Sequence, residues 1–193
     1  MDESTLTDAL SGAGLKFLGM IESTTPLIPP ALAGFANSCP AESVTDVEYL
    51  TSDDPQFLEK ANSGWYRLSR EGGLFAEGEP EFLLAVNCAE PGEPHTWWWA
   101  RVSLSNRWDI AGAGAEIGVL GNGSGHPAFV MLSLDENAIV RAQQGEKSTE
   151  FVLVREPHRV PFFRQHGEWM AGRPRTGQFV RTAIERWLAA TSE

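Results

Sequence analysis

Cysteine is nearly missing from this chain. Cys39 and Cys88 are the only two. They have no close spacing, so no disulfide framework is expected, and a pair makes no zinc site without other ligands. Free thiols in a reducing compartment are expected. Long apolar runs are missing as well. None approaches the roughly 20 residues of a membrane span, and the N-terminus lacks a basic start followed by an apolar segment. The expectation is a soluble, cytoplasmic protein. Basic residues are scarce in the first half. Residues 1–93 carry 16 acidic and 4 basic side chains, whereas 94–193 carry 10 and 11, within a formal net charge of −11. A field of that sign disfavours nucleic acid and anionic membrane and favours a basic partner. Internal repeats and low-complexity linkers are absent. What is there is 193 residues, 42% hydrophobic with seven Trp and ten Phe, enough for one sizeable core.

The most structured stretch is Ile117–Ala142. A glycine-dense turn at 121–125 feeds a run apolar on both faces, with Val130, Leu132 and Leu134 on one side and Phe129, Met131 and Ser133 on the other. Strands covered on both faces read this way, so a central strand is predicted. Asp135-Glu136-Asn137 makes the turn and Ala138–Ala142 the returning strand. Upstream, the pattern predicts a helix over Thr5–Met20, a break at Thr24-Thr25-Pro26 and a proline-started helix over Pro29–Asn37. An edge strand follows over Val44–Leu50, then a short helix opened by Asp53-Asp54-Pro55. Gly64 marks entry to a strand over Trp65–Arg70 with its turn at Glu71-Gly72-Gly73. Glu77–Glu81 is an acidic loop, Phe82–Asn87 a strand, Pro91–Pro94 a loop and Thr96–Leu104 a strand. On that last strand Trp98, Ala100, Val102 and Leu104 form the core face. Trp97 and Trp99 fall on the other, either under a helix or the N-terminal segment, or exposed as a partner-binding pair. Glu150–Arg155 is the last strand and Val160–Ala171 a helix. Thr176 is placed to cap a final helix whose stripe is Phe179, Val180, Ala183, Ile184, Trp187 and Leu188.

No catalytic set emerges. Gly112–Gly118 misses the dinucleotide fingerprint by one residue, and no lysine follows Gly121–Gly125 as a phosphate loop requires. His166-Gly-Glu168 lacks the cysteine pair of a zinc deaminase. His95, His126, His158 and His166 have no metal-ligand spacing. Gly123-Ser124-Gly125 is not a nucleophile elbow, and Ser124, His126 and Asp135 form a triad only by assumption. Asn122-Gly-Ser124 is a glycosylation sequon, without meaning in the cytoplasm. No catalytic, cofactor or metal residue is assigned.

Two stretches carry a resemblance. Pro26–Phe35 looks like the proline-started helix near the N-terminus of SMI1/KNR4-type (SUKH superfamily) domains. Ile117–Val140 resembles that family's second signature, a glycine-rich turn, an apolar strand, a polar Asp-containing turn and a strand ending in Val. The resemblance spans 26–190. The family's Asn-Gly after the first helix is Asn37-Ser38 here, and the 40–100 region is long. The resemblance implies a single α+β domain over 1–193, with a twisted, mainly antiparallel sheet, flanking helices packed on it and residues 1–25 as an N-terminal helical extension. It also implies a binding role, that of a bacterial immunity protein neutralising a polymorphic toxin. An acidic inhibitor suits the basic cleft of such a toxin. The expected partner-binding residues are Glu77, Glu79 and Glu81 of the acidic loop, with Asp46, Glu48, Asp53 and Asp54, and Trp97 and Trp99. Neither a cofactor nor a nucleic-acid or membrane partner is expected. A small enzyme or ligand-binding domain using the glycine-rich loop 112–126, and a regulatory scaffold without a toxin, stay open as rivals.

Overall fold

Side chains that are apolar to both sides of the backbone put Phe129–Leu132 in the middle of the protein. The computed structural model describes residues 2–22, 25–89, 96–122 and 125–191. The strands are β1 (Leu15–Met20), β2 (Asp46–Thr51), β3 (Glu81–Asn87), β4 (Trp97–Leu104), β5 (Phe129–Leu132), β6 (Ala138–Gln144) and β7 (Ser148–Arg155). They form one sheet in the order β1-β4-β3-β5-β6-β7-β2, antiparallel at every pairing. The helices are α1 (Glu3–Gly12), α2 (Pro30–Ala33), α3 (Phe57–Gly72), α4 (Pro161–Ala171) and α5 (Gln178–Ala190). This is an α+β fold in three layers. Leu6 and Leu10 of α1 and Trp65 and Leu68 of α3 pack with Leu84, Val102, Met131, Val140 and Phe151 on one face of the sheet. Leu32 of α2, Phe163 of α4 and Trp187 of α5 pack with Leu83, Trp99, Leu132, Ile139 and Val154 on the other. The terminal helices therefore do cover the sheet. All four residues of β5 are buried, as expected for a strand covered on both faces.

The hairpin after β5 is closed by a side chain. Ser133 Oγ accepts from the N–H groups of Asn137 and Ala138 and donates to Asp135 Oδ1 at 2.6 Å. That pinch ends the strand at Leu132 and turns Leu134 outward, 45% exposed, so Leu134 does not share the core face of Val130 and Leu132. The left-handed residue of the turn is Glu136, at φ 62°, not Asp135 or Asn137.

Three segments depart from the sequence pattern. Thr5–Met20 is not one helix. It divides at Gly14, whose φ of 77° reverses the chain, and a Cβ there would lie 2.1 Å from the Arg107 carbonyl oxygen. The second half is β1, an edge strand paired with β4, so residues 1–25 are not a helical extension. Trp65–Arg70 is not a strand but the middle of α3. Its buried residues Ala61, Gly64, Trp65, Leu68 and Gly72 recur at helical spacing. Gly64 and Gly72 are contact points, where a Cβ would come within 2.6 Å of Glu48 and of Leu153. The true stop is Gly73, left-handed at φ 81°. Thr176 does not cap α5; its hydroxyl donates to the Met170 carbonyl at 2.6 Å, and Gly177 takes the cap position.

The two sheet edges differ. The β1 edge is broken by a register shift between Phe17 and Gly19. The β2 edge keeps an unbroken six-residue register with β7. Bulges protect edges from new partners, so β2 is the edge left open.

Candidate partner-binding surface

Alternation along β2 sends Asp46, Glu48 and Leu50 to the α3 side and Val47, Tyr49 and Thr51 to the other. Leu50 is buried, whereas Val47 and Tyr49 are 41% and 63% exposed. The carboxylates meet α3 through one arginine. Arg67 reaches Asp46 Oδ2 at 2.8 Å, Glu48 Oε2 at 2.9 Å and Glu71 Oε2 at 3.4 Å. The hydrogen bond from Arg67 holds the Asp46 carboxyl below its ordinary range against the opposing effect of burial. Three carboxylates on one guanidinium leave a net negative cluster. Beyond the strand, Asp53 stands exposed. Asp54 turns back to Lys60 Nζ at 2.6 Å and accepts the Gln56 N–H at 2.8 Å. The Lys60 bond, with that N–H, holds its carboxyl below the ordinary range. It folds the entry to α3 without being the cap, which is Gln56. The first turns of α3 add exposed Glu59 and Leu58.

Asp46, Glu48, Asp53 and Asp54 thus share one strip. The acidic loop divides. Glu77 lies 3.7 Å from Arg70 on α3 and extends the strip. Glu79 is exposed in the turn where Gly78 has φ 91°. Glu81 lies on β3, paired to Arg101 of β4 at 2.6 Å, with β5, β6 and β7 between it and β2. Glu77 and Glu79 therefore stand in solvent as expected, but Glu81 does not join them, because it lies on β3 and is held by Arg101. Trp99 is also corrected. It is buried, and its indole N–H donates to the Ile28 carbonyl at 2.8 Å. The 26–31 segment covers it, so it cannot meet a partner. Trp97, 36% exposed, opens onto a groove beside α5. Arg67, Val47, Tyr49 and Leu58 went unnoticed in the sequence as site residues. Alternation showed both faces of β2 but not which one a helix would cover.

The glycine-rich loop serves the fold. The Asp109 carboxylate accepts the N–H groups of Gly112 and Ala113 and the Asn62 amide at 2.7–2.9 Å. Burial opposes ionisation there, yet these bonds hold Asp109 below the usual carboxylate range. An internal anion thus takes the N–H groups that a phosphate would need. A Cβ on Gly121 would lie 1.7 Å from the Ala115 carbonyl oxygen, so the chain packs tightly between 115 and 121. Ser124 and His95 lie outside the described residues. His126 sets its ring edge-on to Phe57 at 6.0 Å, while Asp135 serves Ser133 and Asn137. His166 stacks on Phe162 and lies tilted against Phe35, and Glu168 faces Arg164 at 3.5 Å. Burial pushes the Cys39 thiol up to about 11 and raises Cys88, so both are thiols and poor nucleophiles at neutral pH. Among the described residues no group of three His, Cys, Asp or Glu could hold a metal ion, and no helix is long and apolar enough to cross a membrane.

No protein-family model matches the chain, and no curated protein or solved structure is found similar to it.

Proposed function

We propose that the protein is a non-enzymatic binding module, a bacterial immunity protein that neutralises a basic toxin by covering its active cleft with the β2 edge and the start of α3. One observation carries the reading. Between residues 46 and 59, exposed Val47, Tyr49 and Leu58 are interleaved with Asp46, Glu48, Asp53, Asp54 and Glu59 on an open sheet edge. Interfaces draw most of their affinity from a few anchors, with tyrosine among the favoured types. Surrounding charge sets the rate of encounter and the choice of partner. A cleft that binds nucleic acid must be basic, and the net negative strip complements it. The resemblance to SUKH domains implies the same role.

The test is co-expression with the product of the adjacent reading frame. That product should arrest bacterial growth alone, and this protein should restore growth and co-purify with it. Replacing Tyr49 by Ala and Asp53 and Glu59 by Lys should remove both effects in a chain that still folds. A neighbouring product that is harmless, or rescue indifferent to those substitutions, would refute the proposal.

A further inference from the structure

A cavity of about 240 Å³ lies where the β5–β6 turn, the end of α5 and the segments around Ile28 and Pro157 meet. Its floor is apolar: Trp187 is 2% exposed, Ile28 1%, and Pro157 is buried. Its charge is of one sign. Asp135 and Glu136 line it, and among the described residues no lysine or arginine does. α5 ends against it at Ala190, and the carbonyl end of a helix carries partial negative charge. Concavities that combine apolar walls with a few polar groups are where small molecules bind, and this one is slightly below the usual size. The room suits a short chain.

Two polar groups of the lining have no partner among the described residues. The first is the Glu136 carboxylate. Its neighbour Asp135 spends its oxygens on Ser133 and Asn137, but no cation pairs with Glu136. Arg159, next to the cavity residue His158, is held by Glu156 at 2.8 Å. Arg164 turns to Glu168 at 3.5 Å and to the Thr191 carbonyl at 3.3 Å. Burial chiefly, with the Asp135 charge, raises the Glu136 carboxyl above its ordinary range against a hydrogen bond from the Ile28 N–H. The second is the indole N–H of Trp187, which meets no acceptor, whereas a buried indole N–H usually finds one. We propose that this cavity binds a short alkylammonium carrying a hydroxyl, its ammonium on Glu136, its chain against Trp187 and Ile28, and its hydroxyl oxygen on the indole N–H. An ammonium donates charge-assisted bonds and needs only one carboxylate. A metal ion needs a ligand set, and among the described residues no three His, Cys, Asp or Glu could supply it. The Asp135 charge and the end of α5 add to the attraction, which the apolar floor strengthens.

Three probes of one length separate the contributions: 5-amino-1-pentanol, 1,5-pentanediol and pentylamine, titrated at neutral pH and low salt. NMR signals of the backbone amides at 135–137 and of the Trp187 indole N–H report binding. The amino alcohol should bind about tenfold or more tightly than the diol, the gain of a charge-assisted bond over a neutral one. It should move the indole signal, whereas pentylamine should bind without moving it as far. Glu136→Gln should erase the preference for the amino alcohol over the diol and leave the diol unchanged. Ala190→Trp, at an exposed position on the rim, should obstruct the cavity and abolish binding of all three. Should that variant unfold, Glu136→Gln still decides. Equal affinity for amino alcohol and diol, or a preference that survives Glu136→Gln, would overturn the proposal. So would an indole signal that ignores the amino alcohol, binding that persists in a folded Ala190→Trp chain, or no binding at all.

Discussion

Leu132→Ala is the sharpest probe of the fold, provided Leu134→Ala is measured beside it. Leu132 is fully buried at the centre of the sheet, with Leu83 of β3 and Ile139 of β6 opposite it in register. Those neighbours are held by ladder hydrogen bonds and cannot sink into the vacated space. A Leu→Ala change costs about 2–5 kcal/mol depending on how far the site collapses, so the upper half of that range is expected. For a chain of this length each kcal/mol lowers the melting temperature by about 2–4 °C, giving a drop of roughly 7–20 °C. Leu134, two residues on and 45% exposed, should cost about 0.5–1 kcal/mol. Urea unfolding followed by tryptophan fluorescence reads both, with an unchanged slope as the sign of a common mechanism. Equal losses would mean that the strand continues past Ser133. A loss below about 1 kcal/mol at Leu132 would remove β5 from the centre.

Two further outcomes test the loop and the helical layer. Gly121→Ala pushes a methyl group into the Ala115 carbonyl oxygen, and backbone cannot yield as a side chain can; a loss of about 3 kcal/mol or more in urea unfolding is expected. Burial lowers the His166 pKa below its unfolded value of about 6.5. The unfolded chain therefore binds the extra proton first. This contribution is fully present above pH 6.5 and is lost as pH falls from there toward the folded pKa. His166→Phe, which keeps the ring packing, should flatten unfolding free energy measured between pH 5 and 7, and an unchanged slope would assign the proton elsewhere.

Strands with residues apolar on both sides were legible because burial on both faces leaves a continuous run; Phe129–Leu132 and the returning β6 follow from it. Ala100, Val102 and Leu104 share the predicted core face for the same geometric reason, whereas Trp98 at the start of β4 also meets Phe179 of α5. α3 was illegible because its glycines have two meanings. Gly64 and Gly72 look like punctuation, yet they let the helix approach Glu48 and Leu153. Trp65 and Tyr66 then favour a strand by local propensity. The acidic residues of β2 were visible, but Arg67 lies 19 positions beyond Glu48, and pairing at that range is set by tertiary packing. Trp97 and Trp99 share a face, yet Trp99 is buried with its indole bonded to Ile28 while Trp97 is 36% exposed, a difference set by tertiary packing.

The claim that the β2 edge meets a basic partner is tested most directly by association kinetics against the product of the adjacent reading frame. Asp53 and Glu59 are changed to Lys, since both are exposed and their reversal leaves the Arg67 cluster intact. At low salt the association rate should fall at least about tenfold. The gap should close near physiological ionic strength, where the screening length is about 8 Å. Dissociation should barely change until Tyr49→Ala is added. An association rate that is unchanged at low salt, in a variant that melts like the parent, would contradict the account.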